Sequence, residues 1–336
     1  MLNLAALRQP RSFEETAAFP DTAQFQDTVQ PESPQANDDG FADTVAPDAA
    51  PATPVTPLTR LPFAGRFELI QLLGQGTVGT VHAARDHLWM RLVALKVLAL
   101  PPGTGATTLA DLRRRFVREA EIAQRLRHPD IVEIYEAGVD GEQAWLAMEL
   151  VPGVPLSRYT TASRLLPEPV VLAVVSRVAA AVAHAHAAGV VHRDLKPGNV
   201  IVEWPTNTVK LADFGLAHLA EASNTATGLF LGSPAFMAPE LLAGAKPSPA
   251  SDLYALGLML FQLLSGEIPH EEDNLGELMR RRHAEPVPDI REIRPSLPRV
   301  LADLMAEALA QRPSDRRSGV AGWGQALAAL QQNWRD

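Results

Sequence analysis

The segment Val191-His192-Arg193-Asp194-Leu195-Lys196-Pro197-Gly198-Asn199-Val200 places a carboxylate, an ammonium group and an amide at short, fixed offsets. Apolar residues flank it on both sides, so we expect short buried strands that hold these polar residues on a loop. A second acid follows nineteen residues after Asp194, in Asp213-Phe214-Gly215. Mg²⁺ is usually held by one or two carboxylates together with substrate phosphates. Two acids and an Asn in one pocket therefore predict a catalytic loop for phosphoryl transfer.

Length and composition exclude several classes of protein. With 336 residues, 46% of them hydrophobic, the chain can bury a large core in one domain or two lobes. It has no cysteine, which excludes disulfides, thiolate metal sites and cysteine nucleophiles and fits a reducing compartment such as the cytoplasm. A net charge of −9 argues against generic nucleic-acid binding.

Neither a signal peptide nor a membrane span is expected. Residues 1–13 lack a basic start followed by an apolar run. The longest apolar stretch, residues 170–191, is interrupted by Arg177, His184 and His186. We therefore predict a cytoplasmic protein, and we interpret His184 and His186 as packing or surface residues rather than ligands.

Residues 1–62 differ in composition from the rest of the chain. Nine acids against three arginines give this segment a charge of −6, out of −9 for the whole chain. It is rich in Pro, Ala and Thr and shows no helical or strand period. Such a segment cannot offset the entropy cost of ordering by burying apolar surface, so we expect a disordered N-terminal tail.

A short pattern, Phe-x-Asp-Thr-(Ala/Val), occurs three times in this tail. The copies are Phe19–Ala23, Phe25–Val29 and Phe41–Val45. One interpretation is a repeated recognition element, in which Thr22, Thr28 and Thr44 are phosphorylated and bound by a phosphothreonine-reading domain of the FHA type. The other is chance repetition in a tract rich in Thr, Asp and Ala, and both remain open at this point.

A glycine-rich segment opens the ordered part of the chain. Gly74, Gly76 and Gly79 follow a Gly-x-Gly-x-x-Gly spacing, which dinucleotide-binding folds share. In those folds the glycines open a helix and an acid follows about twenty residues later. Here the residues from Val81 onward alternate as in a strand, and Lys96 stands where that acid would be. The glycines therefore predict a strand–turn–strand cover whose bare backbone can approach phosphates.

The next segments predict one helix, more strands and a second, long helix. Residues 109–126 have a helical period, and either Glu119 or Glu121, which lie on different faces, could pair with Lys96. Residues 131–135 and 144–150 read as strands, and residues 170–187 as an apolar helix under the catalytic loop.

In its order of motifs the chain resembles the bacterial Hanks-type (eukaryotic-like) serine/threonine protein kinases. The resemblance covers residues 67–334. It rests on the glycine loop, the Lys96 strand and the catalytic loop, and on the segments Met148–Gly153, Asp213–Gly215, Met237–Glu240, Ser251–Gly257 and Pro313–Arg316. It implies an α+β, two-lobed protein kinase fold. Residues 67–151 would form a small lobe with an antiparallel β-sheet and one helix, and residues 152–334 a large, mainly helical lobe.

The resemblance also implies how ATP and a metal are bound. The three glycines would cover the phosphates, and Lys96, held by Glu119, would orient them. Asn199 and Asp213 would hold Mg²⁺, with Mn²⁺ as a possible substitute. The nucleotide pocket would be lined by Val81, Ala94, Met148, Glu149, Val151 and Ile201, with hinge backbone pairing the adenine edge and Met148 at the gatekeeper position.

Catalytic and regulatory roles follow from the same resemblance. Asp194 would orient the acceptor hydroxyl of a protein substrate and take its proton, and Lys196 would neutralise charge on the transferred group. Arg193 would pair with a phosphate on the activation loop, for which Thr225 and Thr227 are the candidates. Asp252 would brace the catalytic loop, and a late arginine, Arg316, would pair with Glu240.

The chain differs from the family's common sequence at three positions, and it also contains a run of three arginines. Ser233 stands where the family commonly has Thr and keeps the hydroxyl, so catalysis is not in doubt. Phe236 and His270 stand where the family commonly has Tyr and Phe, which leaves substrate preference open. The run Arg280–Arg282 is expected at a solvent-exposed helix end, or alternatively holds an acidic substrate segment.

Three functions compete with that of a kinase acting on external proteins. A pseudokinase scaffold would be expected to lack Lys96, Asp194, Asn199 or Asp213, and all four are present. A small-molecule phosphotransferase would not be expected to carry Ala238-Pro239-Glu240. The third rival is an adaptor that acts mainly through its tail. Lys196 follows the serine/threonine pattern, while dual specificity stays open.

Overall fold

The computed structural model describes residues 65–76, 79–99, 106–140, 143–214, 234–272 and 274–334. The tail of residues 1–62, with its three repeats, lies outside the described residues. So do Thr225, Thr227 and Ser233 of the expected activation loop. The described residues form a small lobe built on a sheet and a larger helical lobe, and the apolar core is continuous between them.

The small lobe is a five-stranded antiparallel sheet in which the strand order is β1-β2-β3-β5-β4. Its strands are β1 (Phe67–Gln75), β2 (Gly79–Asp86), β3 (Arg91–Ala99), β4 (Ile134–Asp140) and β5 (Gln143–Met148). Because side chains alternate along a strand, β3 presents side chains to both faces of the sheet. Val93, Leu95 and Val97 pack with Phe67 and Trp145 on one face. Ala94 and Leu98 face the main core on the other, and this alternation places Lys96 on that inner side.

One helix, α1 (Ala106–Gln124), packs on β4 and β5 of this sheet. Phe116, Ala120 and Ala123 are buried on its inner face. The helix covers most of the range predicted from the sequence, but the strand expected at residues 131–135 begins only at Ile134. The backbone before it is used differently: the Val132 N–H donates to the Leu211 carbonyl at 2.9 Å and so joins the two lobes.

The large lobe surrounds the buried helix α2 (Glu168–Ala187), which packs against two other helices of the lobe. The remaining helices are α3 (Pro239–Leu242), α4 (Pro249–Ser265), α5 (Leu275–Ala284), α6 (Arg299–Ala308) and α7 (Gly319–Gln332). A small sheet of β6 (Val154–Pro155), β7 (Val200–Glu203) and β8 (Thr208–Leu211) lies under the catalytic loop. Short 3₁₀ turns occupy Leu156–Tyr159, Ala162–Arg164, Pro197–Asn199, Trp204–Thr206, Pro234–Phe236, Ile290–Glu292 and Pro313–Asp315.

Helix α2 is apolar because it is the central helix of the large lobe. Within the described part of the chain it is the one helix whose length and composition would allow it to cross a membrane. However, 67% of its most apolar window is buried inside the lobe. A helix that is hydrophobic all round is found in the core of a large domain as well as in membranes, and here the core accounts for it.

A buried ionic cluster connects α3, α4 and the segment that follows α6. Arg316, whose side chain is 0% exposed, makes two hydrogen bonds to Glu240, at 2.6 and 3.0 Å. Its guanidinium also lies 4.7 Å from the centre of the Tyr254 ring. The Arg316–Glu240 pair expected from the sequence is thus present, and it fixes the start of α3 against the core.

The basic run at the end of α5 is split between surface and interior. Arg280 and Arg281 make ion pairs with acids at the surface. Arg282 is 1% exposed and donates to the carbonyls of Ala235, Met237 and Pro269. The expectation that the whole run faces solvent is therefore wrong for Arg282. Successive helical residues point about 100° apart, so one of three can face inward.

Loss of the carboxylate at Glu240 should strongly destabilise the large lobe. Glu240→Ala leaves Arg316 buried without its anion, which typically costs about 3–5 kcal/mol. The matched control is Arg299→Ala, which removes an exposed i,i+4 pair with Asp303 and should cost about 0.5 kcal/mol or less. Urea unfolding followed by circular dichroism measures both, and equal losses would contradict a structural role for the buried pair.

Candidate active site

One buried carboxylate sets the path of the catalytic loop. Asp252, at the start of α4 and 2% exposed, accepts hydrogen bonds from the backbone N–H groups of His192 and Arg193 at 2.8 and 3.0 Å. Arg193 has a φ of +73°, an uncommon conformation for a residue other than glycine. Such conformations persist where the surroundings hold them, and Asp252 supplies that restraint as the sequence led us to expect.

His186 on α2 supports Asp252 from the other side. Its Nε2 lies 2.7 Å from Asp252 Oδ2. The sequence interpretation of His186 as a packing or surface residue missed this contact. The position of His186 could have indicated this contact, because His186 lies on the helix directly before the catalytic loop and its side chain can reach Asp252.

The catalytic loop brings Asp194, Lys196 and Asn199 together. Lys196 Nζ lies 2.8 Å from Asp194 Oδ2. The Asn199 side-chain amide donates to Asp194 Oδ2 at 3.0 Å and to the Asp194 carbonyl at 2.7 Å. Two donors on one carboxylate fix its orientation and keep its remaining lone pairs available to an acceptor hydroxyl.

Asp213 enters the same site from the end of β8. The Ala212 N–H donates to the Asn199 carbonyl at 2.9 Å, which holds Asp213 beside the loop. Asp213 Oδ1 lies 2.7 Å from Lys96 Nζ. Burial alone would raise the pKa of Asp213, but the charge and hydrogen bond of Lys96 outweigh it and the pKa lies below its ordinary value. The carboxylate is therefore ionised and able to bind a cation.

A neutral histidine lies beneath these acids. His192 is completely buried, and desolvation lowers its pKa below the ordinary value. Its Nε2–H donates to the Ala212 carbonyl at 2.9 Å, while Nδ1 accepts from the Asp194 N–H at 3.3 Å. The ring also packs against buried Phe214, with the ring centres 4.5 Å apart. His192 thus links the loop of Asp194 to the segment of Asp213.

The structure does not join Lys96 to Glu119. The ion pair of Lys96 is with Asp213, and Glu119 Oε1 instead lies 4.0 Å from the Arg193 guanidinium. Glu119 nevertheless faces the catalytic loop, whereas Glu121 lies on a groove on the outer side of α1. The inward carboxylate is therefore Glu119, and its pairing with Lys96 stays a prediction for the nucleotide-bound protein.

The glycine segment forms the cover between β1 and β2. Gln75 pairs with Thr80 across the turn, as the strand–turn–strand interpretation requires. The Gly76 N–H donates to the Gly79 carbonyl at 2.9 Å. A Cβ on Gly79 would lie 2.0 Å from the Val97 carbonyl oxygen, so no other residue fits there. A Cβ on Gly74 would meet no atom within 4 Å, so packing within the protein does not explain why a glycine occupies this position.

The expected nucleotide-pocket residues lie on neighbouring elements. Val81 pairs with Lys96 across β2 and β3, and Ala94 pairs with Met148 across β3 and β5. Val151, just after β5, and Ile201, on β7 of the large lobe, are both half-buried. The Glu149 carboxylate is bound to Lys210 Nζ at 2.9 Å and to the Glu133 N–H at 3.1 Å. The Glu149 N–H in turn donates to the Glu133 carbonyl at 2.8 Å, so the Glu149 carbonyl is the group that remains for a base edge.

Asn199 and Asp213 suit a divalent ion bound together with phosphates. Among the described residues, no group of three or more His, Cys, Asp or Glu could hold a metal by itself. The Asn199 amide nitrogen is occupied by Asp194, which leaves its oxygen as a ligand next to the ionised Asp213. Mg²⁺ is usually bound by one or two carboxylates plus substrate phosphates, and this donor set fits that pattern.

Known proteins are similar to this chain over most of its length. A family model for the protein kinase domain matches residues 67–335. "DNA damage-responsive serine/threonine-protein kinase RqkA" of Deinococcus radiodurans is 37% identical over 289 residues, covering 84% of this chain and 40% of that protein. "Serine/threonine-protein kinase PrkC" of Bacillus subtilis is 34% identical over 255 residues, covering 76% of this chain and 39% of PrkC.

A solved structure agrees with the sequence relatives. The PknI kinase domain of Mycobacterium tuberculosis superposes with a TM-score of 0.63 at 33% identity, covering 80% of this chain and 97% of that one. The chain spans only about two fifths of the length of RqkA and PrkC. The chain nevertheless belongs to the protein kinase family, and its relatives there are bacterial Hanks-type serine/threonine kinases.

Proposed function

We propose that this protein transfers the γ-phosphoryl group of ATP to serine and threonine hydroxyls of protein substrates. The observation that carries the proposal is the Asp194 carboxylate with Lys196 Nζ and the Asn199 amide each within 3.1 Å of it, in the same site as the Lys96–Asp213 pair. Protein kinases use ATP and a divalent metal, and here we propose Mg²⁺, with Mn²⁺ as a substitute.

The chemistry assigns one task to each of these groups. The substrate hydroxyl oxygen forms a bond to the γ-phosphorus while the bond to the β–γ bridging oxygen breaks, and the hydroxyl proton passes to Asp194. Lys196, whose Nζ lies 2.8 Å from Asp194 Oδ2, would neutralise charge on the transferred group. Bound Mg²⁺ would supply charge neutralisation on the phosphates. Because the transition state is loose and highly charged, positioning and electrostatics contribute most of the rate.

Regulation by activation-loop phosphorylation is the second part of the proposal. Arg193 precedes Asp194, and its side chain is 32% exposed and 4.0 Å from Glu119. A phosphothreonine carries nearly two negative charges and binds arginine through charge-assisted hydrogen bonds. A phosphate at Thr225 or Thr227 would therefore compete with Glu119 for Arg193 and release Glu119 to pair with Lys96.

A scaffold or adaptor function is less well supported. All groups that a phosphoryl transfer needs are present and lie together, apart from the Lys96–Glu119 pair. Nothing in their geometry suggests loss of activity. The cytoplasmic location expected from the sequence stays a prediction.

Loss of a phosphate- or metal-binding group should abolish transfer without unfolding the protein. Lys96→Met and Asp213→Asn should each lower the rate by a factor on the order of 10³ or more, equivalent to about 4 kcal/mol of transition-state stabilisation. Labelling of a generic protein substrate with radioactive ATP measures the rate. Lys246→Met, the same change at an exposed lysine, is the control. Wild-type labelling by Asp213→Asn would disprove the assignment.

Phosphorylation of the activation loop should switch activity on. Autophosphorylated protein should carry phosphate at Thr225 and Thr227 by mass spectrometry. The double variant Thr225→Ala/Thr227→Ala should lose about tenfold or more in rate, because Arg193 then lacks a competing anion. Ser223→Ala serves as the control in the same segment. A double variant that is unphosphorylated yet fully active would rule out this switch.

The tail repeats should recruit a phosphothreonine-reading partner. Thr22, Thr28 and Thr44 each follow an Asp and lie three residues after a Phe, and three weak sites on one tether raise avidity. After autophosphorylation, pull-down should recover a partner carrying an FHA-type domain with the full chain. It should fail with a chain beginning at Leu61 and with Thr22→Ala/Thr28→Ala/Thr44→Ala.

The control for the tail is a second triple variant, Thr53→Ala/Thr56→Ala/Thr59→Ala. These threonines lie in the same tail but lack the preceding acid. Equal recovery of partners by all four proteins would show that the repeats have no docking role and reflect composition alone.

A further inference from the structure

The outer face of α1 and strand β4 form an open groove of about 740 Å³. Its lining is Arg113, Arg114, Val117, Arg118, Glu121 and Val139. Residues 114, 117, 118 and 121 lie three, four and seven positions apart and therefore share one helical face. Glu119 points to the catalytic loop from another face of the same helix. The groove is thus separate from the active site.

The groove combines a basic rim with an apolar floor. Three arginines against one glutamate give its lining a formal charge of +2, in a chain whose net charge is −9. Arg114 and Arg118 are exposed, whereas Val117 and Val139 are half-buried. A surface of this kind suits a segment that offers acids together with a hydrophobic side chain.

The tail of the same chain has the complementary chemistry. Between Arg11 and Arg60 it contains nine acids and no Lys, Arg or His. Each Phe-x-Asp-Thr repeat places a phenylalanine two residues before an aspartate. The phenylalanine is apolar, as are the two valines at the floor of the groove, and the aspartate carries the charge opposite to that of the arginines at its rim.

The distance between the tail and the groove is within reach. The tail enters the described fold at Gly65, directly before β1, and the groove lies beside β4, at the opposite edge of the five-stranded sheet. Four strand spacings correspond to about 19 Å, and the register puts Val139 level with Leu98, seven residues or about 23 Å along the strands from the level of Phe67. The direct separation is therefore about 30 Å. The roughly 20 residues between the third repeat and Gly65 span about 25 Å as a flexible coil and about 70 Å when fully extended.

We propose that the acidic tail docks in the α1–β4 groove of its own chain, with Phe41–Val45 as the contact segment. Phe41 covers Val117 and Val139, and Asp43 faces the arginines of the rim. Because α1 also carries Glu119, the contact ties the tail to the helix that positions a carboxylate of the active site. The proposal goes beyond the kinase function, and its test requires no kinase activity.

Disulfide trapping can test the contact because the natural chain contains no cysteine. In the full-length chain, Ala42→Cys combined with Glu121→Cys should form an intramolecular disulfide under mild oxidation. The control pairs Ala42→Cys with Ser296→Cys, an exposed position on the large lobe. Non-reducing gels and mass spectrometry should show at least about fivefold more monomeric cross-link for the groove pair, because docking raises the local concentration of the two thiols.

Charge variants then test why the tail binds. On the trapping background, Arg113→Glu/Arg114→Glu/Arg118→Glu should reduce the cross-link to the control level. The matched triple Arg299→Glu/Arg312→Glu/Arg317→Glu, at exposed positions, should leave it unchanged. Raising the salt concentration from 0.05 to 0.5 M should also reduce trapping, because contacts between exposed charges are screened. Arg113→Gln/Arg114→Gln/Arg118→Gln provides a milder variant if charge reversal unfolds α1.

Each alternative outcome would overturn the proposal. Equal yields for the groove and control pairs would mean that the tail does not occupy the groove. Cross-links of dimeric mass alone would assign the groove to the tail of a second copy. A cross-link that survives both the arginine variants and high salt would reject charge complementarity as its basis.

Discussion

The active site depends on a buried carboxylate that binds backbone rather than substrate. Asp252 holds the N–H groups of His192 and Arg193, and Arg193 adopts a left-handed conformation that an unrestrained chain would avoid. The carboxylate of Asp194 is placed as a result, and with it Lys196 and Asn199. A single side chain at the start of α4 thus fixes the backbone that carries several candidate catalytic groups in another segment.

The two halves of the site are connected by groups that the chemistry itself does not use. His192 joins the catalytic loop to Ala212 and packs on Phe214, while the Val132–Leu211 hydrogen bond joins the lobes. These contacts set where Asp213 lies relative to Asp194. Positioning of this kind matters because phosphoryl transfer is catalysed chiefly by holding charges in place.

The sequence predicted those features that depend on local pattern. Alternation along Val93–Val97 correctly placed Lys96 in a strand, and the spacing of the glycines with the following strand correctly gave a strand–turn–strand cover. It could not give features that depend on the direction of a side chain in three dimensions. Arg282 was expected in solvent as part of a run of three arginines at a helix end, but it is buried. His186 was interpreted as a packing or surface residue, and its contact with Asp252, 66 residues away in the chain, is not visible in the sequence. The partner of Lys96 depends on the position of α1 relative to the sheet, which periodicity does not determine.

The buried guanidinium of Arg282 has a consequence for how new specificities can arise in this fold. It holds residues 235–237 through the carbonyls of Ala235 and Met237, groups that every amino acid possesses. The side chains along this segment are therefore not part of the bond that fixes its path. Exchange at Ala235 or Met237 would alter the shape and polarity that the segment presents while its backbone stays anchored, whereas Phe236 also packs against the core. A framework of this type separates the evolution of selectivity from the maintenance of the fold.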